Sequence, residues 1–208
     1  NPVINRHHQK LAAGGRDYET WVDFSVQHFL GQDCPVDQVL CIGSGDGVLE
    51  RHLARINTAK LIEGIDLAPK RIAIAEEEAR KAGFADVISY SVCNAEINPF
   101  PNSNYDAIYF NSALHHMSDL DGILNKCKLA LKTDGYLFVN EYIGPNRFAF
   151  SDREKEVMRS VFLMIPEKYR ISHAEFDRGQ LRKQLNFPDP AEVEKSDPSE
   201  AIHSQDIA

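Results

Sequence analysis

Short apolar runs alternate with helix-like stretches from residue 39 to residue 143. Val39 to Ile42 is continuously apolar and stops at Gly43, and a helix-compatible stretch follows from Val48 to Ile56. Lys60 to Ile65 reads as a second strand closing on Asp66. Ala68 to Gly83 reads as a helix, with Pro69 in its first turn and Gly83 at its end, where those residues are favoured. Asp86 to Val92 and Tyr105 to Phe110 give a third and a fourth strand. Leu120 to Leu131 repeats apolar residues at 123, 124, 127 and 131, a one-faced helical period. A turn at Thr133-Asp134-Gly135 then leads into a fifth strand, Tyr136 to Ile143. Strands alternating with helices predict an α/β fold: a parallel sheet covered by helices on both faces.

The two ends follow other patterns. Residues 17 to 30 read as an amphipathic helix, with Val22, Val26, Phe29 and Leu30 on one side and Gly31 as its stop. Residues 1 to 16 are polar and read as loose. Ser151 to Ile165 suits a helix with Ser151 as N-cap and Pro166 as terminator. A short second helix is expected within 167 to 185. From Phe187 onward, Pro188, Pro190 and Pro198 among acidic residues predict an extended loop.

The chemistry concentrates at the end of the first strand. Gly43-Ser44-Gly45-Asp46-Gly47 places three glycines between a strand and a helix, so backbone without side chains can approach a nucleoside closely. A dinucleotide fingerprint needs a glycine at 48, where this chain has Val48. A phosphate loop needs Gly-Lys-Ser/Thr, which is absent. Asp66 lies nineteen residues beyond Gly47, close to the spacing of an acid that accepts hydrogen bonds from ribose hydroxyls. The alternative role for Asp66 is an N-cap to the following helix.

Gly43 to Gly47, Asp66, the run Tyr105 to His116 and the run Leu131 to Glu141 together resemble the class I S-adenosylmethionine-dependent methyltransferases, in their ubiquinone/menaquinone-biosynthesis-like branch. The resemblance covers roughly residues 36 to 147. It implies a Rossmann-like doubly wound sheet, although no apolar runs are visible for the C-terminal strand pair that completes seven strands in that family. It also implies one domain over 1–208. Residues 1–35 would be a lid region, 36–147 the cofactor-binding core and 148–208 the acceptor-side segment. Two departures stand out: Cys41 replaces the acid usual two residues before the first glycine, and Lys132-Thr133-Asp134-Gly135 replaces Lys-Pro-Gly-Gly.

S-adenosyl-L-methionine is the implied cofactor, with Gly43, Ser44, Gly45, Asp66, Leu67, Asn94, Ala95 and Asn111 as its binding residues. Leu67 would press on the adenine, and Asn94 and Ala95 would read its edge, since an amide both donates and accepts. Asn94 could equally serve only to close a turn. The backbone carbonyl of Asn111 would meet the methionine amino group. His116 matches the family's recurrent histidine, as a general base, an acceptor orienter or a structural hydrogen-bonding group. Neighbours on a helical turn point about 100° apart, so His115 and His116 cannot serve one site equally. Glu141, Tyr142 and Arg147 are further acceptor-facing candidates by position, with His115 and Glu141 in possible catalytic roles. Trp21 and Tyr18 would line a lid or simply pack against the sheet.

Composition changes this picture only by exclusion. A net charge of -8 argues against a broad nucleic-acid-binding face, and no apolar stretch is long enough to span a bilayer. The four cysteines, at 34, 41, 93 and 127, form no Cys-x-x-Cys pair. Cys41, Cys93 and Cys127 fall in or beside predicted core elements and read as buried free thiols of a reducing, cytoplasmic compartment. The chain begins at Asn1 rather than Met, which leaves a preceding segment open. No metal is expected, because the eight histidines lack ligand spacing. The acceptor would be a small molecule or a glycan or lipid precursor, and an uncovered sheet edge would make a homodimer reasonable. Two other readings remain: a degenerate, non-catalytic partner subunit, and a nicotinamide-dependent dehydrogenase on a similar sheet.

Overall fold

The computed structural model describes residues 2–15, 20–172 and 178–207. The alternating strands and helices form β1 (Val36–Ile42), α3 (Val48–Arg55), β2 (Ala59–Asp66), α4 (Pro69–Lys81), β3 (Ile88–Val92), β4 (Tyr105–Asn111), α5 (Leu120–Ala130) and β5 (Leu131–Asn140). They are preceded by α1 (Pro2–Ala12) and α2 (Trp21–Ser25), and followed by α6 (Asp152–Met164) and α7 (Pro190–Ser196). The five strands are parallel, in the order β3-β2-β1-β4-β5. The strand pair of a seven-stranded sheet is absent among the described residues, where the later chain contributes one isolated bridge, Ile171 to Leu181.

The strand period of two divides the core into two layers. Val39 and Cys41 of β1 point, with Ile62 of β2 and Tyr109 of β4, toward Leu53 of α3 and Val22, Val26 and Leu30 near the N-terminus. Leu40 and Ile42 point, with Ile108 and Phe110 of β4, toward Ile123, Cys127 and Ala130 of α5. Because both faces are covered, the central strands are apolar without alternation. The sheet reverses its winding between β1 and β4, and a crevice opens there beyond their carboxyl ends.

Several expectations require correction. Pro2–Ala12 is helical rather than loose: it ends through Gly14 and Gly15, both at positive φ, and Gln9 Oε1 accepts from the Trp21 backbone N–H at 2.6 Å. The helix expected over 17–30 is divided into α2, capped by Thr20, and a π-helical turn, Val26–Leu30. Val22, Val26 and Leu30 are buried as predicted, whereas Phe29 lies half-exposed against Tyr136 and Phe138. Trp21 packs on Tyr109, the packing role rather than a lid, and Tyr18 lies outside the described residues.

Strand β5 begins at Leu131, five residues early, because Lys132 to Gly135 form a bulge in a continuous ladder rather than a turn. Residues 167–169 form a 3-10 turn, and no α-helix occupies the described part of 167–185. Beyond Phe187 the extended loop is instead interrupted by α7: Asp189 caps it through the Ala191 N–H, and Pro190 occupies its first position. Among the described residues, no helix is long and apolar enough to cross a membrane.

Candidate functional site

The glycine loop is pinned to β2 before any side chain acts. The N–H groups of Gly43 and Ser44 both donate to the Ile65 carbonyl, at 2.9 and 3.0 Å, and Gly47 N–H donates to Ser44 O at 2.9 Å. Gly43 has φ of 76°, and a Cβ there would collide with Ala113 on the opposite side of the crevice. Only glycine meets both conditions, so the loop and the β4 end can approach each other. Asp66 spans the next gap. One carboxylate oxygen accepts from Gly45 N–H and the other from Ala68 N–H, both at 2.8 Å. It therefore joins the loop to the start of α4 while its remaining lone pairs stay available.

Around these residues lies a cleft of about 900 Å³. It brings together Gly43, Ser44, Gly45, Asp66, Leu67, Asn94, Ala95, Asn111 and His116, from four different strand ends. Leu67 is largely exposed there and Ala95 is buried. The side-chain oxygen of Asn94 is already committed to its own turn, accepting from Glu96 N–H at 2.9 Å. Asp46 pairs with Arg71 at 2.7 Å, and Arg71 lines the cleft.

His115 and Glu141 do not line the cleft. The Glu141 side chain is turned inward, one oxygen accepting from the N–H groups of Ala113 and Leu114, each at 2.5 Å. Its other oxygen is 2.6 Å from His115 Nδ1. Glu141 thus fixes the 113–115 turn from beneath, and the 100° divergence expected of adjacent histidines sends His116 to the cleft and His115 to the interior. Tyr142 and Arg147 also lie away from it: the Tyr142 hydroxyl donates to Pro145 O and Arg147 pairs with Glu194.

Among the lining residues that the sequence did not point to, two come from the far C-terminal segment. Asp197 and Ser199 line the cleft, and Ser199 Oγ is 3.0 Å from His116 Nδ1 across 83 residues of sequence. Glu200 follows, with carboxylate oxygens 3.3 Å from His115 Nε2 and 3.9 Å from His116 Nε2. His115, His116 and Glu200 thus bring three metal-competent atoms within 4.8 Å of one another. Burial alone would lower the His115 imidazole pKa, but Glu141 and Glu200 raise it above its ordinary value. A protonated ring satisfies both carboxylates without an ion.

Glu50 was also missed. It occupies a helix position that reads as polar surface, yet it is wholly inaccessible. Burial pushes its carboxyl up to about 7. Nearby Ser44 and Cys41 offset that penalty only in part, and neither oxygen has a well-aligned hydrogen bond.

Residues 40–139 match the methyltransferase domain family. The chain is 33% identical over 112 residues to the demethylmenaquinone methyltransferase of Tropheryma whipplei, covering 54% of this chain and 44% of that protein. It is 25% identical over 146 residues to the ubiquinone/menaquinone biosynthesis C-methyltransferase of Shewanella halifaxensis, covering 70% and 54%. The chain therefore spans about half the length of these relatives. In fold it is similar to the MccD protein, with a TM-score of 0.56 at 19% identity over 66% of this chain and 58% of that one. It is similarly related to geranyl diphosphate C-methyltransferase from Streptomyces coelicolor, with a TM-score of 0.50 at 24% identity over 57% and 42%.

Proposed function

We propose that the chain is a class I S-adenosylmethionine-dependent methyltransferase, a reading supported by the match of residues 40–139 to the methyltransferase domain family, and that its cleft binds S-adenosylmethionine and transfers the methyl group to a small-molecule, glycan or lipid-precursor acceptor. The observation that carries this reading is Asp66, a carboxylate held at a strand's carboxyl end between Gly45 N–H and Ala68 N–H. Held this way, it can accept from both ribose hydroxyls without reorganising.

The other assignments follow from position in the cleft. Gly43, Ser44 and Gly45 admit the cofactor to van der Waals distance of the backbone. Leu67 covers the adenine, and Asn94 and Ala95 face its edge. Asn94 has its amide N–H groups left for that task, its oxygen being engaged. The Asn111 carbonyl takes the methionine amino group. His116 stands on the acceptor side.

S-adenosylmethionine supplies a methyl group already activated on a sulfonium. An acceptor nucleophile held in the cleft would take that methyl in line, its new bond replacing the sulfur–carbon bond and the cofactor leaving as a neutral thioether. The protein's part is alignment and exclusion of water. His116 orients the acceptor, and takes its proton where the acceptor arrives protonated. His115 and Glu141 hold the turn that carries His116 and act through it.

Calorimetric titration with S-adenosylhomocysteine tests this reading, using wild type, Asp66→Ala and NAD as a comparison ligand. Micromolar binding weakened about 10- to 100-fold by the substitution, with no NAD binding, is expected. Absence of binding to well-folded wild type refutes it.

A further inference from the structure

We propose that residues 197–202 form the acceptor-side wall of the cleft, with Glu200 as the positioning residue that holds this wall in place through the His115 ring. The wall's role in acceptor binding rests on the methyltransferase reading above. Its fastening does not.

The segment is a built structure rather than a trailing end. The Asp197 side chain accepts from Ser199 N–H and Oγ at 3.0 and 2.7 Å, which turns the chain sharply after α7. Ala201 is completely buried and has φ of 52°, a strained value for a residue with a Cβ that persists only where its surroundings enforce it. Those surroundings are two backbone hydrogen bonds. The Ala201 carbonyl accepts from Arg147 N–H at 2.8 Å, and Ile202 N–H donates to the His115 carbonyl at 3.2 Å. The turn presents Asp197 and Ser199 to the cleft beside His116.

Glu200 adds a third fastening, and its chemistry is specific. Glu141 accepts two backbone N–H groups with one oxygen, so it is an acceptor toward His115, and the proton in that contact sits on Nδ1. Nε2 faces a second carboxylate, Glu200, at 3.3 Å. A neutral ring would turn its lone pair on that carboxylate, whereas an imidazolium donates to both. The charged groups around the ring are Glu141 from the end of β5, and Glu200 and Asp197 from the segment, with the His116 ring tilted beside it at 4.3 Å. Three carboxylates around one buried ring favour the cation.

The wall is therefore fastened while His115 is protonated and loosens when it is not. The sign is that of a base raised by its partners: the fastening is complete at low pH and is lost as pH rises through the raised His115 pKa.

The test uses the full chain as wild type, Glu200→Ala and Glu200→Gln. Histidine-labelled NMR reads the His115 titration, and hydrogen exchange reads amides 197–207, each between pH 5.5 and 9 with and without S-adenosylhomocysteine. In wild type, His115 is expected to titrate above an ordinary imidazole, and exchange corrected for intrinsic rates to rise about 10-fold as it deprotonates. Glu200→Ala lowers the His115 pKa and loosens the segment at every pH. Glu200→Gln is the discriminating variant. Its amide can donate to a neutral ring, so the segment stays protected at high pH, which a merely structural loss would not produce.

S-adenosylhomocysteine is expected to protect the segment further. An unchanged His115 titration in Glu200→Ala, or unchanged exchange, overturns the fastening. Ligand binding with no added protection overturns the wall. Absence of binding refutes the methyltransferase reading and the wall's acceptor role, while the titration still judges the fastening.

Discussion

Glu50 has both carboxyl oxygens sealed beneath the glycine loop without an aligned donor, so ionising it inside the fold is uphill. Its folded pKa of about 7 stands above the ordinary 4.5. An acid raised in this way binds more protons folded than unfolded, so it lowers stability as pH rises from 4.5 to 7 and adds no further penalty above. The loss amounts to about 3 kcal/mol. Glu50→Gln keeps the shape and removes the charge. Urea unfolding at pH 5 and pH 8 should then show the wild type losing more stability across that interval than the variant does. Equal losses would mean that Glu50 finds a partner on ionising. Nothing in Val48 to Arg55 signals this burial, because one polar position in an amphipathic helix looks like any other until the loop closes over it. Asp66 was legible for the opposite reason: its spacing from the glycines is set by the strand–helix–strand unit itself.

At the scale of elements, legibility followed local signals. Ser151 and Pro166 bounded α6 to within a residue, and the structure adds the reciprocal half of a capping box: Glu154 returns to the Ser151 N–H at 2.7 Å. No residue of α6 is buried, so this helix depends on its ends more than on packing. Ser151→Ala should therefore cost about 1 kcal/mol locally. Exchange of amides 153–156 should speed up, with the core strands unaffected. A uniform change through the molecule would indicate that α6 packs more cooperatively than its exposure suggests. The bounds that failed were those where one residue type serves two structures. Pro190 reads as a breaker in a proline-rich stretch and is in fact the first residue of α7. Lys132 to Gly135 carry turn chemistry and are absorbed as a bulge, because β4 offers a ladder on both sides of them.

At the scale of the molecule, the alternation of strands and helices was enough to imply the parallel sheet, and the winding reversal between β1 and β4 fixes where a ligand must enter. What no periodicity encodes is the return of residues 197–202 to His115 and His116, a contact made across 83 residues by polar groups. That closure has a thermodynamic consequence. A ligand that bridges the glycine loop, Asp66 and the β4 end ties together segments that the sheet alone holds apart, so its binding energy is added to global stability. S-adenosylhomocysteine at about 100 times its Kd should stabilise the chain by about 2.7 kcal/mol. For a chain of this length that is roughly 5 to 10 °C in Tm. Asp66→Ala should need proportionally more ligand for the same shift, and NAD should produce none. A shift that survives Asp66→Ala undiminished would locate binding elsewhere, because only a ligand held at the crevice draws its affinity from that carboxylate.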